Sequence, residues 1–149
     1  MTSDSSTIAE NRRARFDYSI RETLEAGIEL QGHEVKSAKS GRLQIAGGRV
    51  IIRGGEAWLV GAHIPPYQAG NTPPDYEEDR ARRLLLAKNE IRALQGALVD
   101  KSAHLIPLRA YLTHGLIKIE LGLAHSRRKS DKRDALKKRA HQREMRREE

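Results

Sequence analysis

Two arginine clusters and a basic C-terminal block carry most of the chemistry that the residue types of this chain can offer. Asn11-Arg-Arg-Ala-Arg15 and Arg80-Ala-Arg-Arg83 set guanidinium groups at close spacing. A planar guanidinium presents forked donors that match phosphate oxygens. Residues 125–149 read HSRRKSDKRDALKKRAHQREMRREE, with eleven Lys or Arg against five Asp or Glu. That segment therefore carries +6 of the chain's +8, and residues 1–124 carry about +2. Its only apolar residues are Ala135, Leu136, Ala140 and Met145, too few for a core. A block of this kind is expected to be disordered, solvated and used on polyanions.

The residues that could support catalysis are less well arranged. The six histidines, His33, His63, His104, His114, His125 and His141, show no metal-ligand spacing such as HExxH. Glu77-Glu78-Asp79 sits in a proline-rich stretch and reads as a solvated turn before it reads as an acid/base or metal group. No serine lies in a nucleophile elbow, and no glycine-rich run has Walker spacing. Gly47-Gly48 and Gly54-Gly55 read as turns. His63, just before Ile64-Pro-Pro-Tyr67, has two readings: a packed, hydrogen-bonded ring, or a nucleic-acid contact. There is no cysteine, which excludes disulfides and thiolate metal sites. The expectation is a binding protein with no catalytic residues, metal or cofactor.

The elements that must position these residues follow from hydrophobic periodicity. Tyr18, Ile20, Leu24, Ala26, Ile28 and Leu30 share one parity, with Arg21, Glu25 and Glu29 on the other, so a long half-buried strand is expected. Gly27 within it suggests a bulge or bend. Residues 32–41, bounded by glycines, suggest a brief helix. Residues 49–53 and 56–60 flank Gly54-Gly55 as a hairpin. Residues 64–79 hold four of the five prolines and form a long loop. Ala87, Ile91, Leu94 and Leu98 repeat at helical spacing within a helix expected over 80–100, opened by the second arginine cluster. Arginines there oppose the helix dipole, which favours a role for them outside the helix. Alternation over 106–112 and 117–123 gives a second hairpin around Thr113-His-Gly115.

Five or six strands, one clear helix and one short one, without βαβ alternation, favour a mainly β fold with flanking helices. An OB-like small β-barrel is the expected type, an architecture that commonly binds nucleic acid. The length suits one domain plus a tail: a disordered leader over 1–10, a domain over 11–124 and the basic tail over 125–149. No apolar run approaches the roughly 20 residues needed to cross a bilayer. The N-terminus lacks the apolar stretch of a secretory signal. A sequence pI of about 10 with 4% aromatic residues points to a phosphate-rich partner, nucleic acid before membrane.

Taken together, several runs resemble the SsrA-binding (small protein B) family. They are Asn11-Arg-Arg-Ala-Arg-Phe-Asp-Tyr18, Glu25-Ala-Gly-Ile28, Gly32-His-Glu-Val-Lys-Ser37, His63-Ile64 with Pro66-Tyr67, and Arg82-Arg-Leu-Leu-Leu86. Gly122-Leu-Ala124 and Asp131-Lys-Arg133 complete the set. Each is weak alone; their order and spacing are specific. The resemblance implies an OB-fold barrel that binds the tRNA-like domain of transfer-messenger RNA and delivers it to stalled ribosomes in trans-translation. It implies a cytoplasmic monomer with transfer-messenger RNA and the ribosome as partners, and no membrane or small-molecule substrate. The tail would become helical on the ribosome, in the decoding centre and the empty message channel. The rival expectation is a generic OB-fold RNA-binding or ribosome-associated protein with no dedicated RNA.

By position, the resemblance puts Asn11, Arg13, Arg15, Glu25, Glu34, Lys36, His63, Arg83 and Leu85 on the RNA face. It assigns Arg127, Arg128, Lys129, Asp131, Lys132, Arg133, Lys137, Lys138 and Arg139 to the ribosome-binding tail. Glu25 stands out, since a carboxylate repels phosphate; it could accept from base or 2′-OH donors, or orient an arginine. Phe16, Arg83, Ser126 and Ser130 depart from the family's usual residues. Phe16 could stack on a base, and Ser130 could cap a tail helix.

Overall fold

A computed structural model describes residues 6–127 together with Arg139 and Ala140. Seven strands and three α-helices occur among the described residues: β1 (Ser6–Glu10), α1 (Ala14–Asp17), β2 (Tyr18–Ile28), α2 (Gly32–Lys39), β3 (Arg49–Arg53), β4 (Glu56–Val60), β5 (Arg82–Leu85), α3 (Lys88–Ala97), β6 (Ala103–Thr113) and β7 (Leu116–Ser126). All the pairings are antiparallel, in the order β1-β6-β3-β4-β5-β2-β7, and β7 also pairs β6. The ring β6-β3-β4-β5-β2-β7 therefore closes on itself, and the fold is the expected OB-like barrel.

Both hairpins form where the turn chemistry puts them. Gly54 and Gly55 adopt φ of 60° and 75° between β3 and β4, and His114 and Gly115 adopt 50° and 75° between β6 and β7. Two-residue turns of this hand match the twist of the strands they join. Alternation sends Ile117, Ile119, Leu121 and Leu123 of β7 into the core, along with Val50 of β3, Leu59 of β4, Leu84 of β5 and Leu105 of β6. A second, smaller cluster holds Ala14, Ile106, Leu108 and Ala124, with Tyr18 and Ile20 against it. In it, α1 sits on the outer face of β6 and β7.

The eleven-residue β6 has two partners along one edge. Val50 of β3 pairs Leu105, while β1 pairs residues from Arg109 to Leu112. Pro107 sits near the changeover, where the β6–β7 register also shifts. A proline has no N–H to give to a ladder, so it fits where a strand changes partner. Its carbonyl accepts from Asn11 Nδ2 at 3.0 Å, which ties the start of α1 to the barrel.

Four expectations need correction. The leader expected over 1–10 is ordered from Ser6, because β1 finds an open edge on β6. The domain also extends beyond Ala124. His125 and Ser126 pair Ser19 and Tyr18, and Arg127 donates to the carbonyls of Asp17 and Tyr18. The helix expected over 80–100 begins only at Lys88. Before it, Arg82 and Leu84 are buried while Arg83 and Leu85 face outward, the two-residue period of a strand. Gly27 is no bulge either: it pairs Leu85 on one side and Lys118 on the other, and the irregularity in β2 lies between Ile20 and Glu22.

Candidate RNA interface

β2, β5, β6 and β7 place one set of outward side chains in rows across the barrel wall. One row runs Glu25, Glu120, Arg109 and Glu10 on β2, β7, β6 and β1. The next runs Leu85, Gly27, Lys118 and Tyr111 on β5, β2, β7 and β6. Arg83 follows on β5, 3.1 Å from Glu56 and 3.2 Å from Glu29. These pairs hold Arg83 more firmly protonated than usual, first through the Glu56 hydrogen bond. Leu85 is 47% exposed, an apolar side chain left in solvent amid charge. Gly27 keeps the wall flat beside it, because a Cβ there would stand 3.3 Å from the Leu85 side chain.

Glu25 is not loose on this wall. The Tyr111 hydroxyl donates a short hydrogen bond to its carboxylate. Burial, then the Glu25 carboxylate, push the Tyr111 phenol well above its usual range, so it remains a donor at any physiological pH. Arg109 lies 4.3 Å over the Tyr111 ring and 3.8 Å from Glu120, and donates to Thr7 Oγ1 at 3.1 Å. The carboxylate that looked out of place in the sequence is thus an oriented acceptor beside Lys118 and Arg109. Sequence reasoning missed Arg109, Tyr111 and Lys118. Their parity within β6 and β7 was legible, but nothing in it told which parity faces Glu25.

The first arginine cluster borders the same wall. Asn11 N donates to Leu108 O at 2.8 Å. A cleft of about 240 Å³ is lined by Asn11, Arg12, Arg15, Arg109 and Glu120, among others. Arg13 is exposed and pairs Asp17 at 3.3 Å; its guanidinium lies 5.1 Å from the centre of the Phe16 ring. Asn11, Arg13, Arg15, Glu25, Arg83 and Leu85 therefore occupy the outer barrel wall and the α1 segment against it.

Glu34, Lys36 and His63 belong elsewhere, and Glu34 corrects an expectation. It is fully buried on α2, so its carboxylate is shielded from an RNA surface. Arg82, also fully buried, holds it at 2.7 Å and 2.8 Å. Arg80 pairs with it too, Tyr76 Oη donates to it at 3.1 Å, and Gln31 N donates at 2.9 Å. Burial acts to raise the Glu34 pKa, but the Arg80 hydrogen bond, the Gln31 N–H and Arg82 outweigh it and bring it down to about 2. Glu34 fastens α2 to β5 and to the proline-rich loop. Lys36, on the same helix, is exposed. His63 exchanges two backbone hydrogen bonds with Gln44, and its Nε2 lies 2.7 Å from Glu78. Its ring is held, while about two fifths of the side chain remains accessible.

Of the tail residues, Arg127 belongs to the fold and Arg139 is exposed. Arg128, Lys129, Asp131, Lys132, Arg133, Lys137 and Lys138 lie outside the described residues, as does Ser130. Among the described residues no cluster of His, Asp or Glu is placed to hold a metal ion, and no helix is long and apolar enough to cross a membrane.

Comparison with known proteins gives a consistent picture. A family model described as SmpB protein matches residues 8–149. The SsrA-binding protein of Gloeothece citriformis is 45% identical over 140 residues, covering 94% of this chain and 90% of that one. The SsrA-binding protein of Lactiplantibacillus plantarum is 46% identical over 140 residues, covering 93% and 88%. A solved structure described as "tmRNA-SmpB: a journey to the center of the bacterial ribosome" superposes with a TM-score of 0.67 at 41% identity, covering 85% of this chain and 92% of that chain.

Proposed function

The chain belongs to the SmpB protein family, and from that premise we propose that it binds the tRNA-like domain of transfer-messenger RNA and delivers it to stalled ribosomes. The basic tail occupies the decoding centre and the empty message channel, so that a tRNA-like molecule is accepted without a codon and the nascent chain is tagged. The protein is an RNA-binding adaptor of the cytoplasm and makes no bond itself; peptidyl transfer belongs to the ribosome.

The observation that carries the reading is the outer wall: Glu25 oriented by Tyr111, with Arg109, Lys118, Arg83 and exposed Leu85 around it. Cations there can meet phosphates, the oriented carboxylate can accept from base or 2′-OH donors, and Leu85 can pack on a ribose or base. The test is co-purification of the affinity-tagged protein from cells and sequencing of the bound RNA. Transfer-messenger RNA should dominate, and bulk tRNA should compete poorly for binding in a gel shift. Equal competition by tRNA would favour the generic RNA-binding reading.

Tyr111→Phe should weaken RNA binding about tenfold or more, the worth of one hydrogen bond to a charged group. Thermal unfolding should fall by only a few degrees, since the ring and its packing remain. An unchanged gel-shift affinity would mean that the orientation of Glu25 is irrelevant to recognition.

A further inference from the structure

A second cleft opens on the other flank of α1. It has a volume of about 460 Å³ and is more enclosed than the cleft beside Arg109. Arg13, Tyr18, Gly47, Gly48, Arg49 and His104 are among its lining residues. Apart from Arg13, none of these has a role in the interface described above.

The lining combines two chemistries. Tyr18 and His104 supply aromatic surface, their rings meeting edge to face at 5.3 Å. His104 Nε2 lies 2.8 Å from Ser126 Oγ, which fixes that ring. Arg13 and Arg49 add exposed guanidinium groups. Gly47 and Gly48 contribute bare backbone. Gly47 has φ of +81°, a conformation that favours glycine. A Cβ on Gly48 would stand 2.9 Å from the Ile45 carbonyl and 3.2 Å from Pro107, so the packing there leaves no room for a side chain.

Aromatic surface beside arginines suits a planar ring that carries an anion, and the volume falls within the range of small-molecule sites. We infer that this cleft receives one unstacked nucleotide of the bound RNA, its base against Tyr18 and His104 and its phosphate on Arg49 and Arg13. The inference rests on the RNA-binding reading above and adds to it a subsite for a single splayed-out base. Single-stranded bases are commonly taken up on aromatic rings in this way, because every base has a π-face.

The test is amide chemical-shift mapping of the isotopically labelled full chain. It is titrated with each of the four nucleoside 5′-monophosphates and, separately, with inorganic phosphate. The monophosphates should shift Gly47, Gly48 and His104 saturably, and Arg49→Ala should weaken that binding about tenfold, the scale of removing one charge-assisted hydrogen bond. Shifts confined to other faces, the same pattern with phosphate alone, or an Arg49→Ala variant that binds as the wild type does would each overturn the inference. The same preparation is gel-shifted with the tRNA-like domain of transfer-messenger RNA. If the RNA binds while the cleft stays silent, only the subsite is lost. If the RNA does not bind, the functional reading fails.

Discussion

Glu34→Ala is expected to destabilise the fold by roughly 3 to 5 kcal/mol, the usual cost of stripping one partner from a buried ion pair. Arg82 has no exposed surface, and Glu34 is the only carboxylate within ion-pair distance of it among the described residues. Alanine leaves that guanidinium buried without a counter-charge. Arg80 and the Tyr76 hydroxyl also lose the carboxylate they share. A loss of this size is a large part of the roughly 5 to 15 kcal/mol of a typical domain. The midpoint of thermal unfolding should fall by roughly 10 to 20 °C. In the Glu34→Ala background, Arg82→Met should cost far less than in the wild type, because the stranded charge is removed with its partner. Equal costs in the two backgrounds would show that the pair is not coupled.

The same group fixes a pH dependence. The folded-state pKa of Glu34 is lowered to about 2 from an ordinary value of 4.5. A depressed carboxyl contributes stability that is complete above its unfolded pKa and is lost as pH falls through the folded one. Denaturant midpoints should therefore fall between about pH 4.5 and pH 2 in the wild type. Glu34→Gln should lack that part of the slope, although it starts from a less stable fold.

Removal of the tail after Arg127 is expected to leave binding of transfer-messenger RNA nearly intact and to abolish peptide tagging. The cut must fall there and not after Ala124. His125 and Ser126 still pair β2, and Arg127 holds the carbonyls of Asp17 and Tyr18. A cut after Ala124 would strip those bonds from the end of the barrel nearest α1 and mix a folding defect with the loss of function. Apart from Arg127, the tail's basic groups leave with the segment, ten of the chain's twenty-eight. Counterion release scales with the number of phosphates a protein neutralises, so a chain with fewer cations binds RNA with less salt sensitivity. The truncated protein should thus bind ribosomes more weakly and with a shallower salt dependence. Loss of RNA affinity as complete as the loss of tagging would mean that barrel and tail are not separable.

The sequence by itself determined the barrel's long strands, both hairpins, the short helix α2 and the family. Alternation, paired turn residues and ordered motifs are local properties, and they survive in the fold because burial of one strand face enforces the period. Only the tertiary structure decided which charges are buried and which meet solvent. Arg82 and Arg83 are neighbours with the same side chain, yet one lies in the core and the other outside. Arg80-Ala-Arg-Arg83 looks like a single basic cluster along the chain, although the parity of β5 divides it. Glu34 and Glu25 are likewise indistinguishable by residue type. The first is enclosed between Arg80 and Arg82, the second held on the open wall by Tyr111, 86 residues away along the chain. An ion pair is made by whichever elements the fold brings together. Its partner therefore cannot be read from spacing, whereas the period of the strand that carries it can.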